Sequence, residues 1–329
     1  MKKVLKILLI FVIATITALT MVACTPAQDP TNKTGLLYKK DRDGVFVVYD
    51  YKDDGSKQEI VTVEIPQAET IRIDKGAFSG NDTIKKLVVS SAVKEITAGA
   101  FENMLALQTL EVPFIGQFTN ADATFVESGS ANDGEKATGK ARTISHFFGT
   151  SEYDKGSVMT IKHLESGSEV ETICYVPAAL EKIVINAADG YSIPMDAFNG
   201  FIGGAQTLAI EINGNVKAIG ERAFKGTSIS SIVLPASVKT IYDGAFNNCK
   251  LLSKVEFASG AAEIEVKADA FKGCEMMNKL DASDNLTVNF AKFSLVEAGA
   301  FDFGNTKTYT VLSSAGFNLS VIFGSTNAQ

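Results

Sequence analysis

The feature that most limits what this chain can fold into is a dipeptide. Ala-Phe recurs at Ala77-Phe78, Ala100-Phe101, Ala197-Phe198, Ala223-Phe224, Ala245-Phe246, Ala270-Phe271 and Ala300-Phe301. The first two pairs are 23 residues apart, and the later ones follow at gaps of 26, 22, 25 and 30. Four positions before each alanine stands a β-branched apolar residue: Ile73, Ile96, Ile193, Ile219, Ile241, Val266 and Val296. A second apolar set follows the phenylalanine, spaced three and then two apart. It reads Ile84, Leu87, Val89; Leu107, Leu110, Val112; Ile229, Ile232, Leu234; and Leu252, Val255, Phe257. Pro113 and Pro235 follow two of these sets directly, and Val63-Glu64-Ile65-Pro66 ends the same way.

Such a unit has a simple physical reading. An apolar-x-apolar run is a short strand with alternate side chains on one face. The proline after it stops the ladder and turns the chain. The β-branched residue and the Ala-Phe pair supply a second inward edge. A single unit cannot bury its apolar face, but stacked units share one continuous core. Equivalent residues on successive coils then sit ~4.8 Å apart, which makes the phenylalanines a buried ladder. An all-β sandwich needs no fixed period and leaves the Ala-Phe register unexplained.

The full pattern, Ile229-x-x-Ile232-x-Leu234-Pro235-x-x-Val238-x-x-Ile241-x-x-x-Ala245-Phe246-x-x-Cys249, resembles the BspA-like leucine-rich repeat family. The resemblance runs from Ile65 to Phe301. It implies a β-rich solenoid, a right-handed leucine-rich repeat superhelix with coils of about 23 residues. It also implies a non-catalytic bacterial surface protein, since some members resemble adhesins for host matrix proteins or for other bacteria. In that family the slot three after the phenylalanine points inward. Cys249 and Cys274 occupy it, where Asn81, Met104 and Thr227 stand in other coils. The resemblance therefore makes both cysteines core residues, and a disulfide between adjacent coils stays open.

The ends read differently. Residues 36–65 predict an N-terminal β-hairpin cap, with Val45–Tyr49 and Ile60–Val63 as strands and Asp43-Gly44 and Asp54-Gly55 as hairpin turns. Asp50-x-Lys52-x-Asp54-Gly55 has the outline of a calcium loop, but Lys52 replaces an acid and Val61 stands where a bidentate glutamate is needed. The solenoid is expected over 66–306. Residues 307–329, apolar from Tyr309 to Phe323 but without Ala-Phe, predict a C-terminal strand cap. No metal or other cofactor is called for.

Residues 1–23 read as an export signal: Lys2, Lys3 and Lys6 precede an uncharged apolar run from Ile7 to Ala23. Met21-Val22-Ala23-Cys24 resembles the bacterial lipoprotein signal, with Met21 where leucine is usual, and marks Cys24 for lipidation. Residues 24–35, carrying Pro26 and Pro30, read as a flexible tether. The run of 17 residues also sits near the lower limit for an uncleaved membrane anchor. The expected location is extracytoplasmic, lipid-anchored to the bacterial cell membrane or surface. Loss of the leader lysines takes the net charge of −7 to −10, which disfavours nucleic acid as a partner.

Phe198 follows Phe101 by 97 positions with no Ala-Phe between them, room for about four coils. Thr119 to Thr143 is rich in small polar residues and reads as an exposed loop. Pro113-Phe114-Ile115-Gly116, His146-Phe147-Phe148-Gly149 and Tyr175-Val176-Pro177 keep part of the register. The stretch 114–175 thus reads as an insertion in one irregular coil. His146, His163, Asp154, Glu165 and Cys174 fall in it, but they match no zinc or nucleophile motif. The chain is therefore read as not an enzyme, with a hydrolase near His146 and His163 as a remote alternative.

A binding module fits better. The residue between two inward strand positions must point outward, which gives the row Val88, Glu111, Val233 and Glu256, with Asp281 in a less regular coil. Lys94, Lys217 and Lys239 form a neighbouring row. In the insertion, Phe118, Phe125, His146 and Tyr153 are the candidate contact residues. The expected partner is a host extracellular matrix or bacterial surface protein, and the chain itself is expected to be a monomer. The alternative is a structural spacer or envelope scaffold.

Overall fold

The computed structural model describes residues 35–118, 139–204, 208–277, 279–280, 287–305, 307, 309–312 and 316–324. The export segment, Cys24, Phe125 and Asp281 lie outside the described residues.

The chain opens with β1 (Leu36–Lys40) and β2 (Phe46–Tyr51), an antiparallel hairpin. It then winds through β3 (Ile60–Val63), β4 (Ile71–Ile73), β5 (Lys86–Val89), β6 (Val93–Ile96) and β7 (Thr109–Val112). Next come β8 (Gly156–Glu165) and β9 (Ser168–Pro177), paired antiparallel. Winding resumes with β10 (Lys182–Ala187), β11 (Ser192–Ile193), β12 (Ala209–Gly214), β13 (Ala218–Ile219), β14 (Ser231–Leu234), β15 (Thr240–Ile241), β16 (Lys254–Phe257) and β17 (Ile264–Val266). The end holds β18 (Lys279–Leu280), β19 (Thr287–Asn289), β20 (Phe293–Val296), β21 (Thr310–Leu312) and a single helical turn, α1 (Leu319–Ile322).

The result is a solenoid of about eight turns with parallel stacked strands. A regular coil contributes one strand to each of two walls and one turn between them. The first wall runs β3-β5-β7-β10-β12 and then, as a separate sheet, β14-β16-β18. The second runs β2-β4-β6 and later β11-β13-β15-β17-β20. Ala-Phe forms the connecting turn, and its backbone continues the ladder: Phe198, Phe224 and Phe246 N–H donate to Ala223, Ala245 and Ala270 O, each at 2.7 Å. All seven phenylalanines and all seven alanines are buried. Phe198, Phe224, Phe246 and Phe271 stack at ring separations of 5.2, 5.1 and 5.0 Å. That is close to the strand spacing, as a register locked by the backbone requires. A larger side chain in place of alanine would push neighbouring coils apart.

Three local expectations need correction. Asp43-Gly44 lies in the β1–β2 turn, but Asp54-Gly55 is a corner and not a hairpin turn. β2 and β3 belong to different walls, and β3 pairs parallel with β5. That pairing keeps Val61 and Val63 over Leu87 and Val89, in register, within the core. The hairpin part of the cap is therefore β1–β2 alone. At the other end, β21 pairs parallel with β19, and α1 adds a helical turn where only strand was expected. Gly299 and Phe301 N–H donate to Val321 and Ile322 O, so α1 covers the last Ala-Phe turn. Asn81 is only half-buried: its carbonyl accepts the N–H of Ile84 at 2.8 Å and so caps a turn.

The interruption yields one coil. β10 pairs directly with β7, so the residues between them are spent on excursions and not on further coils. Phe101 N–H donates to Phe147 O at 2.9 Å, which gives Phe147 the backbone place that Ala223 holds opposite Phe198.

Candidate functional site

The outward row assembles on the first wall. In register across adjacent strands stand Val88, Glu111, Val184 and Glu211, then Val233 and Glu256 on the next sheet. Val184 and Glu211 were missed by sequence reading. Leu180-x-x-Ile183-x-Ile185 already placed Val184 between inward residues. Leu208-Ala209-Ile210-Glu211-Ile212 hid Glu211, because its apolar spacing is two and two.

Lysines at strand starts neutralise the acids of the row. Lys86 Nζ reaches Glu111 at 2.6 Å and Lys182 Nζ reaches Glu211 at 2.6 Å, each across adjacent coils. Lys254 Nζ meets Glu256 within one strand at 2.7 Å. Pairs this exposed contribute little stability. Their effect is to hold long side chains flat beside Val88 and Val233, giving a face that alternates apolar and charge-balanced positions. Val233 is 52% exposed and Val88 half-buried, while Val184 is covered by its neighbours and buried. Of the neighbouring lysines, Lys94 Nζ donates to Ser91 O and Lys239 Nζ to Ala262 O.

The insertion residues divide. Phe118 is half-buried and bridges to Glu95 at the edge of the second wall. Tyr153 is half-buried, and burial of its hydroxyl pushes the phenol up from its ordinary range. His146 is corrected from a contact residue to a packed one. It is 5% exposed, and its Nε2 lies 3.0 Å from Ile96 O. Desolvation pushes its pKa down to about 4, against the opposing pull of the Ile96 bond. At neutral pH the ring is therefore uncharged, and Nε2–H is the donor.

His163 is buried in the hairpin, with Nε2 2.9 Å from Thr172 Oγ1. Its pKa is lowered, chiefly by desolvation. Cys174 is buried too, and desolvation pushes its thiol up to about 12. Neither histidine ring is hydrogen-bonded to a carboxylate among the described residues. Among the described residues nothing positions His146, His163 or Cys174 as base or nucleophile. Cys249 and Cys274 are free thiols, donating to Phe224 O at 2.9 Å and Phe246 O at 3.1 Å.

Two features of the insertion were not read from sequence. One is the β8–β9 hairpin itself. Its turn, Ser166-Gly167, has φ of 51° and 80°, the left-handed pair that a two-residue hairpin loop needs. Met159, Ile161, His163, Cys174 and Val176 turn inward, while Val158 and Ile173 stay exposed. The Ser-Gly pair between alternating runs was the available signal. The other feature is a buried joint at Asp196, which is wholly buried. Asp196 accepts Arg222 Nε and Nη2 at 2.9 and 3.1 Å, Leu164 N–H at 3.0 Å and Asn199 Nδ2 at 3.0 Å. Arg142 Nη2 approaches it to 3.8 Å. The joint ties the insertion, through Arg142 and Leu164, to the first regular coils.

These coils carry the signature of a known repeat. A profile of the BspA type leucine rich repeat region matches in six copies, over residues 55–127 and 168–297. The chain belongs to this family. A leucine-rich repeat protein from T. pallidum is similar over 82% of this chain and 87% of its own, at 18% identity and a TM-score of 0.35. One from Bacteroides ovatus matches over 88% and 74%, at 16% identity and a TM-score of 0.31. One from Eubacterium ventriosum matches over 83% and 88%, at 15% identity and a TM-score of 0.22. No curated protein matches the chain. Repeats of this family generally mediate protein–protein contact, so the chain is a repeat-based interaction scaffold.

Proposed function

We propose that this protein is a lipid-anchored, extracytoplasmic surface protein that engages another protein through the first wall of its solenoid and the insertion. The observation that carries the reading is the outward row Val88, Glu111, Glu211, Val233 and Glu256, with Val184 in the same register but already covered at 3% exposure. Its acids are already paired with lysines, so covering the row does not strand bare charges, and exposed Val233 gains by burial. A long, shallow, mixed face of this kind suits a large protein partner and not a small molecule. The leader lysines, the apolar run and Cys24 support export and acylation. The BspA-like family supports adhesion to a host matrix or bacterial surface protein.

The test immobilises the full chain and captures from matrix and surface extracts, with Glu111→Lys and Glu256→Lys as the altered face. Specific capture that the double variant loses supports the reading. Capture indifferent to it removes the wall as the site. Labelled palmitate should enter the wild type and not Cys24→Ser; equal labelling of both would overturn the anchor.

A further inference from the structure

The first wall is broken. β12 and β14 are neighbours in the winding, yet no ladder joins them: one sheet ends at β12 and another begins at β14. At β5, β7, β10 and β12 the first strand residue donates to the carbonyl just before the preceding strand, and at β16 Ser253, one residue earlier, makes the equivalent bond to Ser230 O. Lys86 N–H reaches Glu59 O, Lys182 N–H reaches Gln108 O and Ala209 N–H reaches Glu181 O. Ser231 holds the same position, and no such bond joins it to Leu208. Strand alternation turns the backbone groups of Ile210 and Ile212 toward the gap from one side, and those of Ser231 and Val233 from the other.

The opening is confined to this wall. Opposite it, β13 pairs with both β11 and β15, and Phe198 stacks on Phe224 at 5.2 Å. The gap is a wedge hinged on the far side, with a cavity volume of about 610 Å³. Leu208, Ile210, Ile212 and Ile232 floor it, and Glu181 and Val233 stand on its rim. The core is thinner here. Ile210 and Ile212 keep 5% and 7% exposure, whereas the equivalent Ile183 and Ile185 have 0%.

Two facing strand edges over an apolar floor select their occupant. An extended backbone supplies donors and acceptors to both edges, and alternate side chains reach the isoleucine floor. Lys182 is paired with Glu211 at 2.6 Å, which leaves Glu181 as the rim acid without an ion-pair partner among the described residues. We propose that the β12–β14 groove binds an extended segment of a partner protein by strand addition, the segment being apolar at alternate positions with a basic residue beside Glu181. This rests on the reading of the wall as the binding face and names what it takes. As the segment enters, the edges move to about twice the ~4.8 Å strand spacing, pivoting on the intact wall.

Hydrogen exchange on the full chain alone gives the first test. The Ile212, Ser231 and Val233 amides should exchange at least tenfold faster than Ile183 and Ile185; equal protection would mean the strands are paired and would overturn the proposal. The second test uses nonapeptides with Val, Ile or Thr at alternate positions and a terminal lysine. Selected peptides should slow exchange at those amides, and N-methylation of alternate peptide amides should weaken binding at least tenfold. Val233→Pro should do the same, and the methylated peptides keep the test intact if that variant fails to fold. Binding indifferent to methylation, or no binding by any patterned peptide, overturns strand addition. If protein capture still depends on Glu111 and Glu256 while the peptides fail, only this inference falls. If capture is also absent, the broader reading falls with it.

Discussion

The coils from Ala197 to Phe271 and the coils around Phe101 follow one backbone plan, but their cores differ. In the former, successive phenylalanine rings lie nearly parallel, at 8°, 6° and 2°. In the latter, Phe78, Phe101 and Phe147 are tilted by 58° and 57°, at 6.1 and 5.5 Å. Identical residues on identical turns repeat one rotamer, and the rings then stack by translation. Where Phe147 replaces alanine in the turn, the extra ring must fit beside Phe101, and the stack gives way to tilted packing. The regular part is held by repetition. The irregular part is held by particular side chains, Asp196 first among them.

That contrast can be broken at the joint, where the largest effect is expected. Asp196→Ala removes the buried acceptor that Arg222, Leu164 N–H and Asn199 share, leaving Arg222 only Glu221 as its acid partner among the described residues, so it should cost about 3–5 kcal/mol in denaturant unfolding. Hydrogen exchange should rise in β8–β9 before it rises in β13–β17. Simultaneous loss everywhere would show that insertion and coils are one cooperative unit. Next in size is the ring stack. Phe246→Ala should cost about 3–5 kcal/mol, and Phe101→Ala about 1 kcal/mol less, because the tilted neighbours of Phe101 repack more readily. Equal costs would mean that parallel stacking adds nothing to burial.

How legible each part was in the sequence follows from the same contrast. Repetition writes itself into spacing, so Ile73, Ile96, Ile219 and Phe246 can be placed inside from the sequence alone. Val88, Glu111, Val233 and Glu256 followed from alternation alone; Val184 sat in a pattern that already placed it and was passed over, and at Glu211 the residue Leu208 disturbed the spacing. The joint could not be read. Asp196, Arg222, Arg142 and Leu164 are distant along the chain, and no local pattern distinguishes a buried acid from an exposed one. His146 was misread for a related reason: a polar residue beside Phe147 and Phe148 gives no sign that Ile96 O awaits it.

His146 gives the irregular part a sensitivity to acid. Above pH 6.5 the ring is neutral in both folded and unfolded chains and contributes no pH dependence. As pH falls below 6.5 the unfolded ring takes a proton that the folded ring refuses until about pH 4. Stability should therefore drop by about 3 kcal/mol across that window. The difference in unfolding free energy between wild type and His146→Gln should narrow by that amount from pH 7 to pH 4. A gap that stays constant would show that the ring is protonated in the folded protein.

The smallest effect belongs to the wall, and its smallness is informative. Lys182 and Glu211 are paired at 2.6 Å but remain 36% and 53% exposed, so screening by water leaves the pair with little net strength. Lys182→Ala should change stability by less than about 1 kcal/mol. If the wall is a binding face, the same substitution should weaken partner capture, because it leaves Glu211 unpaired when the face is covered. A large stability loss would make the lysine row part of what holds the coils together, as Asp196 does for the insertion. A small loss with weakened capture would separate the two jobs: the rings and the joint keep the fold, and the paired charges keep the face ready to be covered.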